Sequence, residues 1–261
     1  MAQYSVNRGN HYSAGNNDLH EVVMIADNDG NIGGGSGALV NIPLASGLID
    51  GQSHIHKFGA TSVDVTTGTV WDGNTGSVTY SYPDTDTPIV TSTENIGDSV
   101  IITGLNEFFQ EISEIVAIGD TAVERFSRVF RAQMLNTTNV ADVDISMSGG
   151  LAARITAGLA QTLMAVYTVP AGKTAYLLKL TLGSDKASTN SAMGYSLMSR
   201  NSPLSPFRIK GRLYSAGGQN ILQEYPIPLR FGEKSDIRLD LTAAQATKVS
   251  ATFELILVDN A

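Results

Sequence analysis

The chain contains no cysteine in 261 residues. That removes disulfide scaffolds, thiolate zinc sites and cysteine nucleophiles together, and it fits a protein made in a reducing cytoplasm. Histidine is scarce: four occur, at 11, 20, 54 and 56. With none after His56, a Ser…Asp…His order starting from the GGSGA at 34–38 has no histidine to complete it. The same glycines are followed by no Lys-Ser or Lys-Thr, so they make a poor phosphate loop. Positive charge is also in short supply, 17 Lys and Arg against 25 Asp and Glu, for a net charge of −8. A nucleic-acid binder needs a basic surface, so no nucleic-acid partner is expected. No apolar run approaches the ~18 residues of a membrane span, so no membrane partner is expected. The beginning, MAQYSVNRGNHYSAG, lacks a basic-then-apolar signal pattern, and the chain reads as soluble without a classical secretion route.

What is present is β-pattern. Hydrophobic residues make up 42%, enough for a core, and 26 glycines with abundant Thr and Ser favour short strands and tight turns. Residues 1–50 are polar, turn-rich and glycine-rich, and read as an irregular attachment arm with one hairpin. Residues 51–150 read as a β-rich domain. In it SVTYSY places Val78, Tyr80 and Tyr82 on one face, 98–121 gives two strands around a Leu-Asn turn, and ADVDISM points Val143, Ile145 and Met147 inward. TAVERFSRVFRAQML reads as a strand, with Phe126, Arg128 and Phe130 on one mixed face. Residues 151–261 alternate most cleanly. Phe207, Ile209 and Leu213 oppose Arg208, Lys210 and Arg212; Ile237, Leu239 and Leu241 oppose Asp236, Arg238 and Asp240; Val249, Ala251, Phe253, Leu255 and Leu257 point inward. Period-two patterning with one wet face predicts an all-β, antiparallel, jelly-roll-like β-sandwich over 151–261. The charges of the two wet faces are expected to pair across neighbouring strands.

One stretch departs from that pattern. Ile155 to Gly183 predicts a strand, a Pro-Ala-Gly turn and a second strand, with Leu178, Leu180 and Leu182 toward the core and Ala175, Leu177, Lys179 and Thr181 opposite. In the first strand Met164 and Val166 oppose Leu163, Ala165 and Tyr167, so both faces are apolar. Such a strand is covered on both sides, by a second sheet and by an arm or neighbouring subunit.

Candidate chemistry is thin. Asp27, Asp29 and Asn31 alternate as in a calcium loop, but Ile32 stands where that loop needs glycine and Ala38 where it needs an acid. An Asp-Gly hairpin turn is the better reading. His54 and His56 share a strand face, as in some metal sites, and a third ligand would have to come from His11, His20 or a carboxylate. Solvent-facing histidines are the better reading, and no cofactor is expected. The closest carboxylate groupings, Asp84 with Asp86 and Glu111 with Glu114, lack the opposed geometry across a cleft that glycoside hydrolysis needs. Trp71 in TVWDGN, with Tyr80 and Tyr82, would be the aromatics to stack on a sugar ring; a lone Trp more often plugs the end of a sandwich.

The blocks IHKFGATSVDVTTGTVWDGN, IITGLNEFFQEISEIVAIGDTAVERFSRVFRAQML and GLAQTLMAVYTVPAGKTAYLLKL, with the ending PLRFGEKSDIRLDL…ATFELILVDNA, resemble virion structural proteins of tailed bacteriophages, especially marine phages. The resemblance spans roughly residues 50 to 261, marked by Trp71-Asp72-Gly73, Gly104-Leu105-Asn106, Pro170 to Thr174 and Glu233 to Ile237. It implies a non-enzymatic virion component assembled in the host cytoplasm and carries over no catalytic residues. The expected role is a head decoration or cement protein, contacting the major capsid protein or other virion proteins as a homo-oligomer, with a trimer fitting either capsid three-fold positions or fibres. The alternative is a tail-attached adhesin recognising host surface glycans through Trp71, Tyr80 and Tyr82.

Overall fold

The computed structural model describes residues 43–185, 192–215 and 219–260, and the backbone of 25–26 and 32–33. The chain divides into two units, Met1–His54 and Ile55–Ala261. In the first, β1 (Ile25–Ala26) and β2 (Ile32–Gly33) pair antiparallel. Asp27, Asp29 and Asn31 between them lie outside the described residues, as do His11, His20 and the 34–38 glycines.

The second unit contains a jelly roll, legible from strand order. Its eight strands are β3 (Gln52–Ala60, of which Ile55–Ala60 belong to this unit), β4 (Val65–Thr69), β12 (Lys173–Ser184), β13 (Met193–Arg200), β14 (Arg208–Ser215), β15 (Ile221–Phe231), β16 (Asp236–Thr247) and β17 (Val249–Asp259). One sheet runs β3–β17–β12–β15 and the other β4–β16–β13–β14, all pairs antiparallel where register is defined. Among these eight, successive strands change sheet at every step except β13 to β14, which is the two-Greek-key winding of a jelly roll. The expected inward residues of the last two strands line the core: Ile237, Leu239, Leu241, Val249, Ala251, Phe253, Leu255 and Leu257 are all buried. Burying each Leu or Phe contributes about 1.5–3 kcal/mol before conformational entropy is counted.

The large excursion between β4 and β12 builds a second core. It carries β5 (Ile89–Ser92), β6 (Ser99–Asn106), β7 (Glu111–Ala117), β8 (Phe126–Met134), β9 (Val143–Met147), β10 (Gly150–Ile155) and β11 (Val166–Thr168). Two three-stranded sheets, β10–β9–β5 and β7–β6–β8, close on Val100, Ile102, Phe126, Val129, Val143, Ile145 and Ile155. β8 is a strand as predicted, and Val143, Ile145 and Met147 point inward as predicted.

Three expectations change. The Ser-Gly-Gly at 148–150, read as a domain boundary, forms the tight turn of the β9–β10 hairpin: Met147 pairs with Gly150, and Gly149 and Gly150 take φ of 93° and 139°. The jelly roll therefore draws β3 and β4 from before the insert and the rest from after it. Second, Leu177 rather than Leu178 faces the core. Leu177 pairs with Leu255 and Lys179 with Glu254, so Leu178 is the extra residue of a β-bulge that lets Ala175, Leu177, Leu180 and Leu182 share one face. A similar shift around Lys210 leaves Ile209 50% exposed instead of inward with Leu213. Third, residues 78–84 carry no strand, and Val78 is exposed while Tyr80 is buried.

The apolar stretch is covered on both faces, by the chain's own two cores. Ala165, Tyr167 and Val169 belong to the jelly-roll core, Met164 and Val166 to the insert's core. The chain leaves the jelly roll at Val70 and returns at Ala165, and the crossing is closed by hydrogen bonds from Val70 N to Leu239 O (2.8 Å), Ala165 N to Val70 O (3.0 Å) and Leu239 N to Ala165 O (3.1 Å). Gly59 of β3 sits against this crossing: a Cβ there would lie 2.2 Å from Ala165 N and 2.4 Å from Val70 O. Gly59→Ala is therefore expected to lose about 3 kcal/mol of stability in urea titration. Gly76→Ala, with nothing within 4 Å of its Cβ, is expected to change it by less than about 0.5 kcal/mol.

Candidate functional site

A dense polar cluster lies where the insert meets the jelly roll, on the face of β16 that alternation marked as wet. Asp236 is fully buried. Its Oδ1 accepts from Arg128 Nε (2.9 Å) and Thr168 Oγ1 (2.6 Å), and its Oδ2 from Arg128 Nη2 (3.1 Å) and Arg200 Nε (2.6 Å). Arg128 comes from β8 of the insert, Arg200 from the end of β13, Thr168 from β11. Arg238 Nε pairs with Asp240 at 3.0 Å, and its Nη1 donates to Tyr80 O at 3.0 Å.

Aromatic rings fill the spaces between the guanidiniums. Tyr82 and Phe207 stack with centroids 5.6 Å apart. Arg128 and Arg200 lie 5.1 and 5.0 Å from the Tyr82 ring, and Arg200 and Arg238 lie 4.7 and 4.0 Å from Phe207. Tyr82 Oη donates to Ile237 O at 3.2 Å, and burial, reinforced by the Asp236 charge, pushes its phenol well above the usual range. The arrangement is a carboxylate held by two arginines with cation–π contacts. Chemically it joins strands.

The conspicuous Trp71-Asp72-Gly73-Asn74 motif is a second joint. The indole folds over Gly73, where a Cβ would meet the ring at 2.3 Å. Asp72 Oδ2 accepts from Leu163 N at 3.0 Å, and Asn74 ties Thr67 O, Thr69 O and Val78 N. Burial raises the Asp72 carboxyl well above its ordinary value, against the Leu163 hydrogen bond. Lys57 of β3 is buried too, its Nζ donating to Phe130 O and lying 5.3 Å from the Phe130 ring centroid. Burial, with Arg131 adding repulsion and Asp72 opposing, lowers its pKa to about 7.

The structure packs the aromatics proposed as a sugar platform against one another, Tyr80 lying edge to face on Tyr82 at 4.8 Å, and buries Trp71 and Tyr80. Trp71 and Tyr80 are 3% and 1% exposed and pack edge to face at 5.0 Å, with Tyr80 Oη donating to Ala152 O at 2.9 Å. Tyr82 is half-buried between arginines and Phe207. Trp71 plugs a core, the structural reading of a lone Trp. His54 and His56 fall on exposed positions of β3, and His56 Nδ1 lies 2.8 Å from Glu254 Oε1. Among the described residues no group of three or more His, Asp or Glu side chains is placed to hold a metal ion.

The carboxylate groupings serve turns. The Ser148 side chain foremost, with the Thr87 and Ser148 amides, hydrogen-bonds Asp86 and holds its carboxyl below the ordinary value, and Glu114 accepts from Val123 N and Glu124 N. The expected pairing of Arg208, Lys210 and Arg212 with Asp236 and Asp240 does not form, because β13 lies between β14 and β16. Sequence reasoning missed Arg128 and Arg200 as the partners of Asp236. The one available signal was a charge, Arg128, within an apolar strand; the single face expected for Phe126, Arg128 and Phe130 does not form, since β8 changes register and Phe126 enters the insert's core while Phe130 enters the jelly roll's. No family model matches this chain, and no curated protein matches it.

Two measurements test the cluster. Asp236→Asn would leave Arg128 and Arg200 buried without a full counter-charge, and is expected to cost about 3–5 kcal/mol in urea titration. The second concerns Lys57, whose amine titrates near 7 in the folded chain and near 10.5 when unfolded. Between those values the unfolded chain holds a proton that the folded chain has released. Stability from this residue therefore rises with pH across that window, by up to about 1.4 kcal/mol per unit. Asp72 acts oppositely, its contribution falling as pH climbs from 3.8 toward its raised folded value. Lys57→Met should flatten the alkaline rise and stabilise the protein at neutral pH, as read from urea midpoints across a pH series.

Proposed function

We propose that this chain is a non-enzymatic structural protein of a tailed-bacteriophage virion, acting as a decoration or cement protein on the head exterior. It would assemble in the host cytoplasm and bind the major capsid protein or other virion proteins as a homo-oligomer. The observation that carries the reading is the eight-stranded jelly roll, an architecture recurrent in viral capsid and lectin domains, found in a chain whose blocks over roughly 50–261 resemble phage virion proteins. Fold alone does not assign function, and this support is by analogy. The physical properties suit the role: the buried Arg128–Asp236 pair ties the insert to the jelly roll, and the sheets end in edge strands of the kind that pair with neighbours. Residues 1–50, ending before β3 begins, are proposed as the attachment segment.

The test is electron microscopy of purified virions labelled with an antibody to this chain. Regular label over the head is the expected result. Label confined to the tail would overturn the decoration role in favour of the adhesin, which would then need a sugar platform other than Trp71 and Tyr80. Deleting residues 1–50 is expected to abolish head binding while leaving the far-ultraviolet β spectrum intact; full occupancy by the truncated chain would remove the attachment role.

A further inference from the structure

Two sheets end in strands of opposite charge. β14 closes the β4–β16–β13–β14 sheet and exposes Arg208, Lys210 and Arg212 on one strand of a chain whose net charge is −8. Beside them Ile209 is 50% and Tyr214 72% exposed. Among the described residues none of these three cations makes an ion pair; Arg212 Nε donates only to Ser196 Oγ, at 3.2 Å. β7 closes the β7–β6–β8 sheet at an acidic edge. It exposes Glu111 and Ile115, with Glu107 and Phe108 in the turn that enters it. Glu114 of the same strand holds Val123 and Glu124 alongside, by hydrogen bonds of 2.8 and 2.9 Å to their amides. Phe108, Ile115 and Val123 are 65%, 57% and 85% exposed.

We propose that these two edges bind each other between copies of this chain, the acidic β7 edge of one copy against the basic β14 edge of the next. Each edge strand has one side on which its backbone N–H and C=O groups are unpaired within its sheet, and each carries apolar side chains that lose water on contact. Charge decides which edges meet. Three cations facing three carboxylates attract, while β14 against β14 or β7 against β7 sets like charges together. Charged edge strands commonly serve to prevent strand pairing; here each edge repels its own kind and admits the other. The contact joins two different patches, so it is heterologous and builds a closed ring or an open filament, never an isolated two-fold dimer. A three-fold ring is one such closure. The proposal concerns the purified chain in solution and stands independently of the virion assignment.

The test is sedimentation of the full-length protein across a salt series. Wild type is expected to sediment as more than a monomer at low salt and to dissociate as salt rises, because the contact is at the surface and screened. Two variants are then compared, R208Q/K210Q/R212Q and E107Q/E111Q/E124Q, all at exposed positions and checked for an unchanged melting transition. Each alone is expected to be monomeric, since each lacks one half of the contact. Mixed in equal amounts they keep one intact acidic edge and one intact basic edge, and are expected to form discrete one-to-one dimers that grow no further. A wild type that is monomeric at low salt, a mixture that stays monomeric, or either variant associating as wild type does would overturn the proposal. Monomeric wild type at low salt overturns the proposal without either variant, and single substitutions K210Q and E111Q keep the edge assignment testable where a triple variant fails to fold.

Discussion

The second unit depends on one buried carboxylate. A jelly roll with a long insert between two of its strands has to hold the insert's exit and return side by side, or the two cores would separate and expose the surface between them. Backbone bonds at Val70, Ala165 and Leu239 close the crossing, and Asp236, the first residue of β16, ties the body of the insert to the returning segment. It binds Arg128 of the insert, Arg200 of the adjoining strand and Thr168 on the returning segment at once. Burying one carboxylate and two guanidiniums carries a desolvation cost of several kcal/mol per ion. It is tolerable here because each carboxylate oxygen accepts two hydrogen bonds and the guanidinium faces rest on Tyr82, Phe207 and Phe109.

The polypeptide crossing beside this cluster is equally constrained. Met164 to Val169 presents alternate side chains to two different cores, so no position there has a wet side. β8 is in the same situation, with Phe126 and Val129 in the insert's core and Phe130 in the jelly roll's. Strands buried on both faces lose the alternation that normally fixes register. Backbone contacts at Val70, Ala165 and Leu239, and the close approach at Gly59, supply register in its place.

With Trp71, Tyr80 and the Asp236 cluster committed to internal joints, the contacts proposed with other copies fall to the sheet edges. Trp71 and Tyr80 hold the insert together, and Arg128, Arg200 and Arg238 are turned inward. β14 and the β7 region are among the places where charge stays outside. A structural role in an assembly asks for such a division: a rigid interior and edges whose charge selects the neighbour.

The sequence by itself determined the class of fold. Strict alternation in β9, β16 and β17 identified antiparallel strands and their inward residues, because side chains of a strand must face opposite sides. It also showed that Met164 to Val169 is covered on both faces. What covers it was decided only by tertiary structure, since two apolar faces look alike whether the second layer is a neighbour or the chain's own insert. The same holds for β16, where Asp236, Arg238 and Asp240 alternate as a solvated face would. A charge is readable in one dimension; the arginines that make it bearable indoors come from strands 36 and 108 residues away. Bulges at Leu178 and Lys210 escaped for a related reason: one extra residue shifts the phase of a strand, and only the partner strand's register shows it.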